Sequence, residues 1–247
     1  MNARLFPSRL ASRLLLALSL LAPAAAAEAA DRLVLLTEEN APYNFTDPAT
    51  GRITGAATDL VHAMMAEAGM EAELQLTSWA RAYNQVLSTP GSCLFAANRT
   101  PEREHQFTWV PLLRRGGGWV IYTEADSPLS LDSLEAARGQ PILTIGGGPL
   151  EAFLKAQGLD VIAVKQDAIF RMMGRGRATL AAMGSLAGPW RARTAGVEIR
   201  PLLVIGRNDL WLACNRSLPA SLAQRLEAAL SRLEAQGRVE AMLDAYR

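Results

Sequence analysis

The chain has 247 residues, half of them hydrophobic, with 25 basic and 24 acidic side chains and a net charge of +1. This hydrophobic share supports the packed core of one large domain or two small ones. The balanced charge and an aromatic content of 6% provide no basic surface of the kind that attracts nucleic acid or anionic membranes, so we expect neither as a partner.

The N-terminal segment is typical of a secretory signal peptide. Arginines precede an apolar run over 14–22, and small residues follow up to Ala27. The run is shorter than the roughly 20 residues that span a bilayer. We therefore predict that residues 1–27 are a signal peptide, with cleavage after Ala27 and with Ala29 and Ala30 as alternatives, and that the mature protein is exported to the periplasm.

Strand and helix patterns alternate in the first half of the chain. Strands are predicted at 33–36, at 72–77 and around Cys93, with helices at 58–68 and 79–87 between them. The apolar residues of the first helix recur at helical spacing, and a glycine follows its end. This order of elements indicates a parallel sheet.

A second α/β unit follows a glycine run at 116–118, where we place a hinge crossing. Its predicted elements are strands at 119–122, 141–145, 161–164 and 178–183 and helices at 149–157 and 168–173. The chain returns through strands at 202–205 and around Cys214, and helices at 219–235 and 239–246 close it.

The two cysteines, Cys93 and Cys214, lie in strand-like runs of an exported chain, where disulfides persist. A bridge forms if those strands are neighbours, and otherwise the residues are two buried thiols. The sequence leaves both readings open, because it does not give the separation of the two Cα atoms. Two cysteines alone do not make a zinc site, and we expect no metal.

The segment that begins at Asn98 carries the candidate binding chemistry. It follows a strand, where α/β sheets place ligand-contacting loops. Thr100 suits the N-cap of a helix and Pro101 its first turn, which puts Arg103 in that turn. A guanidinium can hold a carboxylate through two parallel hydrogen bonds. An ordinary surface arginine on a helix is the other reading.

The run Thr100-Pro-Glu-Arg103 resembles the signature of the periplasmic solute-binding proteins of family 3, the polar amino-acid binders of ABC importers. That family has Thr-x-x-Arg and then a Phe-Ser-x-Pro-Tyr-like stretch, which 107–111 matches loosely. Segments that also resemble the family are 41–45, 55–60, 79–82, which is typical of a variant branch, and 218–246. The resemblance covers nearly all of the mature chain and indicates a divergent branch.

The resemblance implies a two-lobed α/β structure, the type II periplasmic binding protein fold, in which each lobe is a sheet flanked by helices. Residues 28–113 and 204–247 would form the first lobe and 114–203 the second, joined by a two-strand hinge. A small ligand would bind in the cleft between the lobes. We expect a monomer without a cofactor, with an inner-membrane ABC permease as its partner.

The resemblance also implies roles for individual residues. Arg103 would clamp a ligand carboxylate, and Asn98 and Thr100 would add polar contacts. Apolar walls would come from three aromatic residues, Tyr43, Phe45 and Trp79. In the alternative interpretation none of the three contacts a ligand. Tyr43 and Phe45 then only cap the first lobe, and Trp79 is part of its core.

The second lobe departs from the family pattern at two places. The usual Gly-Ser/Thr turn at a helix N-terminus reads here as three glycines and Pro149. Gly147 and Gly148 can still offer amides to an anion, whereas a proline has no N–H to donate. Amino-acid binders also carry an aspartate that pairs with the ammonium group, but the matching stretch, 181–185, has no acid and offers Ser185 as a candidate contact. The expected ligand is therefore a carboxylate or another small polar anion.

Two alternative functions share this fold. A few relatives are periplasmic dehydratases, and Glu38, Glu39 and Asp59 lie near the predicted cleft as possible acid–base groups. The chain has no HExxH, nucleophile-elbow or phosphate-loop motif, so we expect no enzyme. A ligand sensor without a role in transport is the other alternative, and no residue pattern separates it from an uptake protein.

Overall fold

The computed structural model describes residues 32–114, 118–207 and 209–247. The predicted signal peptide lies outside these ranges, as do Gly116 and Gly117 of the predicted hinge crossing. In the described ranges no helix combines the length and the apolar composition that crossing a membrane requires.

The strands are β1 (Arg32–Thr37), β2 (Phe45–Thr46), β3 (Ile53–Thr54), β4 (Glu71–Leu76), β5 (Ser92–Asn98), β6 (Thr108–Leu113), β7 (Gly118–Glu124), β8 (Ile142–Ile145), β9 (Val161–Val164), β10 (Leu180–Gly184), β11 (Ile199–Arg207) and β12 (Leu210–Cys214). The α-helices are α1 (Ala56–Ala68), α2 (Trp79–Ser88), α3 (Pro149–Ala156), α4 (Ile169–Met173), α5 (Ala187–Thr194), α6 (Ala220–Ala235) and α7 (Arg238–Asp244).

The first sheet has the order β4-β1-β5-β12-β6. The strands β1, β4 and β5 are parallel, as the alternating pattern predicted, and β12 returns antiparallel between β5 and β6. Successive side chains of β5 point to opposite faces. Phe95 packs in the core shared with α1, α6 and α7, whereas Leu94 packs against α2. The first lobe is therefore a mixed sheet covered on both faces.

The second sheet has the order β11-β7-β10-β8-β9. The strands β8, β9 and β10 are parallel, while β7 is antiparallel to both β10 and β11. The helix α3 packs on the face that carries Ile121, and α4 and α5 pack on the face that carries Val120 and Tyr122. The predicted architecture of two sheets flanked by helices is confirmed.

The chain crosses between the sheets twice, from β6 to β7 and from β11 to β12. The pairing of β11 with β7 continues to Arg207, which lies opposite Gly118. The predicted lobe boundary between residues 203 and 204 therefore falls inside β11. The second sheet extends to Arg207 because pairing resumes after register shifts between Pro201 and Leu203 and between Val204 and Gly206. The first sheet resumes at Leu210.

Two of the elements that were not predicted, α5 and β6, contain a proline that interrupts their patterns. Pro189 lies in the first turn of α5, where a backbone N–H has no partner within the helix. Pro111 lies in β6, an edge strand of its sheet, and edge strands tolerate proline. The predicted helix at Pro101 was also wrong. A turn leads there into a single turn of 3-10 helix, Glu104–Gln106, so Arg103 precedes the helical turn and Thr100 caps no α-helix.

Cys93 and Cys214 lie opposite each other on β5 and β12 and are joined by a disulfide. Both residues are fully buried in the core of the first lobe. The bond spans 121 residues of sequence, and that span includes the whole second sheet. The disulfide therefore joins the two chain segments that make up the first lobe.

We expect the double variant Cys93→Ala/Cys214→Ala to lower the free energy of unfolding by about 2–5 kcal/mol, because the unfolded chain loses a long-range constraint. Urea unfolding of the oxidised proteins measures the difference. A thiol reductant should destabilise the wild type and leave the double variant unchanged. Equal stability of wild type and variant would show that the bond does not constrain the chain.

Candidate ligand-binding cleft

Arg103 lies in the turn after β5 and is half-buried. Its guanidinium carbon is 5.2 Å from the ring centroid of Trp79 and 5.6 Å from that of Tyr83, so both rings stack against the cation. Its Nη1 donates to the carbonyl oxygen of Asn98 over 3.4 Å. Within the described residues, no carboxylate forms a salt bridge with it. Arg103 thus lies against two aromatic rings and keeps most of its N–H donors for another acceptor.

Arg99, four residues earlier, differs from Arg103 because it is paired with a carboxylate. Its Nε donates to Oε2 of Glu104 over 2.7 Å, and a second contact joins its Nη2 to Oε1. The guanidinium also stacks on the ring of Trp211, 4.6 Å from the centroid. The hydrogen bond from Arg99 lowers the pKa of Glu104, so the pair stays ionised. The charge of Arg99 is therefore already neutralised, in contrast to that of Arg103.

A cavity of about 240 Å³ lies between the two lobes beside this turn. The first lobe contributes Asn98, Arg99, Thr100 and Trp211, the start of α3 contributes Pro149, and the crossing segments contribute Trp119, Arg207 and Asp209. The Oδ1 atom of Asn98 is buried and has no hydrogen-bond partner among the described residues. A buried acceptor without a partner is unfavourable, so this atom favours a ligand that donates a hydrogen bond.

The three-glycine turn at the start of α3 already holds a carboxylate. The N–H of Gly147 donates to Oε2 of Glu151 over 2.6 Å, and the other oxygen of Glu151 accepts from Lys155 over 2.5 Å. Both hydrogen bonds lower the pKa of the Glu151 carboxyl, and the one from Lys155 has the larger effect. Gly148 is the N-cap residue of α3. A side chain of the turn's own helix thus occupies the Gly147 amide, which the sequence predicts as a donor to an anionic ligand.

Ser185 lies at the end of β10 and is tied to the crossing strand β7. Its Oγ accepts from the N–H of Gly118 over 3.2 Å, and its own N–H donates to the carbonyl of Gly118 over 2.8 Å. The hydroxyl of Tyr122 donates to the Ser185 carbonyl over 3.3 Å. Ser185 therefore fixes the position of the crossing strand and does not line the cavity beside Asn98.

Tyr43 lies apart from Arg103, in the core of the first lobe, and its hydroxyl reaches the second lobe. A Cβ atom on Gly184 would lie 3.2 Å from that hydroxyl. Gly184 belongs to the stretch where amino-acid binders carry an acid. Because glycine has no side chain, there is room at this position for the Tyr43 hydroxyl. The loop is held by α1, whose Ala57 N–H donates to the Tyr43 carbonyl over 2.8 Å. A Cβ on Gly55 would lie 2.4 Å from this carbonyl, which explains the glycine there.

Phe45 also contacts the second lobe. Its ring centroid is 5.8 Å from that of Trp190 on α5, and Trp190 lies 5.8 Å from Tyr246. The hydroxyl of Tyr246 donates to Oδ2 of Asp59 over 2.7 Å. These aromatic contacts join α5 to the first lobe, so Phe45 contributes to contact between the lobes rather than to the wall of the cavity beside Asn98.

The structure therefore divides the predicted site residues into separate groups. Arg103 and Trp79 form a stacked pair, Asn98 and Thr100 line the neighbouring cavity, and the remaining residues hold loops and lobes together. Sequence reasoning missed the cavity residues Trp119, Arg207, Asp209 and Trp211, because only the two chain crossings bring them to this place. It also missed Trp190 and Arg191, although the Pro-Trp-Arg run was a weak signal for an exposed amphipathic turn.

The carboxylates considered for acid–base catalysis are held in different ways. Glu39 accepts hydrogen bonds from Thr46, and Asp59 accepts one from Tyr246. Glu38 is half-buried, and its burial raises the pKa of the carboxyl. Among the described residues, no group of three or more His, Cys, Asp or Glu side chains is arranged to hold a metal ion.

Burial raises the pKa of Tyr43 to about 12, against an ordinary value of 10.0. The unfolded chain releases this proton near its ordinary pKa while the folded protein keeps it, so stability is lost as the pH rises between these two values. We expect the free energy of unfolding to fall by roughly 2–3 kcal/mol more in the wild type than in Tyr43→Phe across this window. Urea unfolding at a series of pH values measures both curves, and parallel curves would contradict the prediction.

The sequence model of the bacterial extracellular solute-binding proteins, family 3, matches residues 33–247. Among curated protein sequences, none matches the chain. The match to the family model covers nearly all of the described residues.

Several solved structures are similar to this one. A histidine kinase sensor domain with similarity to periplasmic binding proteins has a TM-score of 0.70 at 22% identity, over 87% of this chain and 95% of that one. The P235GK mutant of ArgBP from T. maritima has a TM-score of 0.68 at 18% identity, over 90% and 97% of the two chains. The GluR0 ligand-binding core from Nostoc punctiforme, in complex with L-glutamate, has a TM-score of 0.68 at 16% identity, over 87% and 98%.

At these identities the solved structures establish the fold alone, and it is the two-lobed α/β fold that the resemblance implied. The match over residues 33–247 establishes the family. The chain belongs to the bacterial extracellular solute-binding proteins, family 3.

Proposed function

We propose that this protein is an exported solute-binding protein that closes its two lobes over a small polar solute bearing a carboxylate. The observation that carries the proposal is the unneutralised guanidinium of Arg103. This guanidinium donates a hydrogen bond to the carbonyl oxygen of Asn98, whose side chain lines the cavity between the lobes. The neighbouring Arg99 is paired with Glu104, so the two arginines are not equivalent.

A carboxylate fits Arg103 for a geometric reason. The rings of Trp79 and Tyr83 lie against the guanidinium, and the carbonyl of Asn98 engages only its Nη1. The remaining N–H donors can form two parallel hydrogen bonds with a carboxylate. Stacking also lowers the freedom of the side chain before the ligand binds, which reduces the entropic cost of binding. A lysine at this position would offer neither the two parallel hydrogen bonds nor the restricted side chain.

The rest of the cavity favours a ligand that also donates hydrogen bonds. The orphan Oδ1 of Asn98 accepts one, from an ammonium, an amide or a hydroxyl group. An amino-acid-like solute combines such a donor with a carboxylate, and similar structures include ArgBP and a GluR0 core bound to L-glutamate. Asn98 is neutral, however, so we include carboxylates without an ammonium group in the ligand class.

Closure about the two crossings would bury the ligand and exclude water around Arg103. Delivery to an ABC permease of the inner membrane is the proposed downstream step. Ligand sensing is a second candidate, supported by the similarity to a kinase sensor domain. Deletion of the gene separates the two: the uptake role requires loss of ligand import, and the sensing role requires normal import with loss of a response.

A thermal-shift screen against amino acids, carboxylates and small anions identifies the ligand, because binding to the folded state raises the melting temperature. We then expect Arg103→Gln to weaken binding by about 2–5 kcal/mol, since truncation leaves the ligand carboxylate buried without its partner. Isothermal titration calorimetry measures the loss. The control is Arg81→Gln, an exposed arginine on the helix that begins at Trp79, which should bind like the wild type. Unchanged affinity in Arg103→Gln would remove Arg103 from the site.

We further expect Glu151→Gln to strengthen binding of the same ligand several-fold. The ionised carboxylate of Glu151 competes with an incoming anion for the Gly147 amide at the start of α3, and a neutral amide competes less well. The matched control is Lys155→Gln, which leaves the contact between Glu151 and Gly147 in place. If both variants bind like the wild type, the ligand does not use this turn.

A further inference from the structure

A second cavity, of about 570 Å³, lies on the other side of the second lobe's sheet from α3. It is enclosed by the loop after β1, the start of α4 and one side of α5. The residues that matter for its chemistry are Ala41, Lys165, Asp167, Phe170, Trp190 and Arg191. It shares no lining residue with the cavity beside Asn98, so the two are separate spaces.

Arg191 is the central group of this cavity. It belongs to the second lobe, and its Nη2 donates to the first lobe, to the carbonyl of Ala41 over 2.7 Å and to Oδ1 of Asn40 over 3.3 Å. The side-chain oxygen of Gln166, in the orientation that satisfies its hydrogen bonds, is one more neutral acceptor. The Nε of Arg191 is buried and has no partner among the described residues.

A guanidinium in this environment lacks a counter-charge. In the described part of the chain, no carboxylate forms a salt bridge with Arg191, and burial lowers its pKa to about 10. Burying a charge is unfavourable unless an opposite charge accompanies it. Arg191 lines the cavity, so an anion bound there would supply the opposite charge that the guanidinium lacks.

The remaining charges of the cavity do not supply that anion. Lys165 is exposed and has no salt bridge with a described carboxylate, so it adds a second positive charge. The carboxylate of Asp167 lies 3.7 Å from Nη2 of Arg171, one helical turn further along, and is largely exposed to solvent. The cavity as a whole keeps an excess of positive charge.

The other walls of the cavity are apolar. Phe170 is buried in the core of the second lobe, and Trp190 packs against Phe45 and Tyr246 with tilted rings. Ala41 and Ala195 complete this surface. A small inorganic anion would leave these groups uncovered, whereas a carboxylate attached to an apolar body would cover them and gain the free energy of apolar burial.

We propose that this cavity is a second ligand site, which binds a small carboxylate with an aliphatic or aromatic body. The carboxylate lies between Arg191 and Lys165, and the apolar body lies against Trp190 and Phe170. Because Arg191 also holds the loop of Ala41, an occupant of this site contacts both lobes and favours the closed arrangement. By linkage, it raises the affinity of any ligand that binds between the closed lobes.

Phenylacetate is a suitable probe, because phenylacetamide has the same shape without the charge. We expect the folded wild type to bind phenylacetate saturably in calorimetry and to bind phenylacetamide at least tenfold more weakly. Arg191→Gln should lower the affinity for phenylacetate at least tenfold. Arg103→Gln should leave it unchanged, because Arg103 does not line this cavity and lies on the turn beside the other one. Comparing these two variants tests the second site separately from the proposed role of Arg103 in binding the solute between the lobes.

Arg191 contacts both lobes, so its substitution can also disturb folding. Lys165→Gln avoids this difficulty because Lys165 is exposed, and we expect it to weaken phenylacetate binding about threefold, with circular dichroism unchanged. Arg175→Gln, an exposed arginine of the same lobe that does not line the cavity, is the matched control and should have no effect. The proposal is overturned if phenylacetate does not bind saturably, if Lys165→Gln binds it like the wild type, or if Arg103→Gln abolishes binding.

Discussion

The position of β12 in the first sheet is the constraint on which the molecule depends. This strand comes late in the chain, yet it lies between β5 and β6, so the sheet is incomplete until the second lobe has been made and the chain has returned. The disulfide between Cys93 and Cys214 secures that return at the buried centre of the sheet. Two crossing segments are the consequence, and they bring Trp119, Arg207 and Asp209 to one end of the cleft.

Three arginines show how surroundings, rather than residue type, decide what a cation can do. Arg99 is paired with a carboxylate, Arg103 lies against two rings with no salt bridge among the described residues, and Arg191 is half-buried among neutral acceptors. The first serves structure, the second serves the proposed solute site, and the third serves both lobe contact and the proposed second site. A motif identifies only the second of these. Arg99 differs from Arg103 through its pairing with Glu104, and Arg191 lies on a helix whose start contains proline.

The sequence was sufficient for the elements whose patterns are uninterrupted. The apolar spacing of α1 and the β-α-β order of β1, β4 and β5 were predicted, and so were the family and the two-lobed fold. It was insufficient where a proline lies inside an element, as in α5 and β6, and where a turn replaces a helix, as before Arg103. The candidate site was predicted as one group, and it became several because contacts such as that between Tyr43 and the second lobe depend on how two lobes meet.

Trp190 is an intrinsic fluorescent probe of the relative motion of the two lobes. Its indole lies on the second lobe, between the rings of Phe45 and Tyr246 on the first. Separation of the lobes would replace those two rings by water, and the emission of an indole depends on the polarity around it. Opening and closing should therefore change the intrinsic fluorescence of the unlabelled protein, and Trp190 contributes to that change because its ring neighbours belong to the opposite lobe.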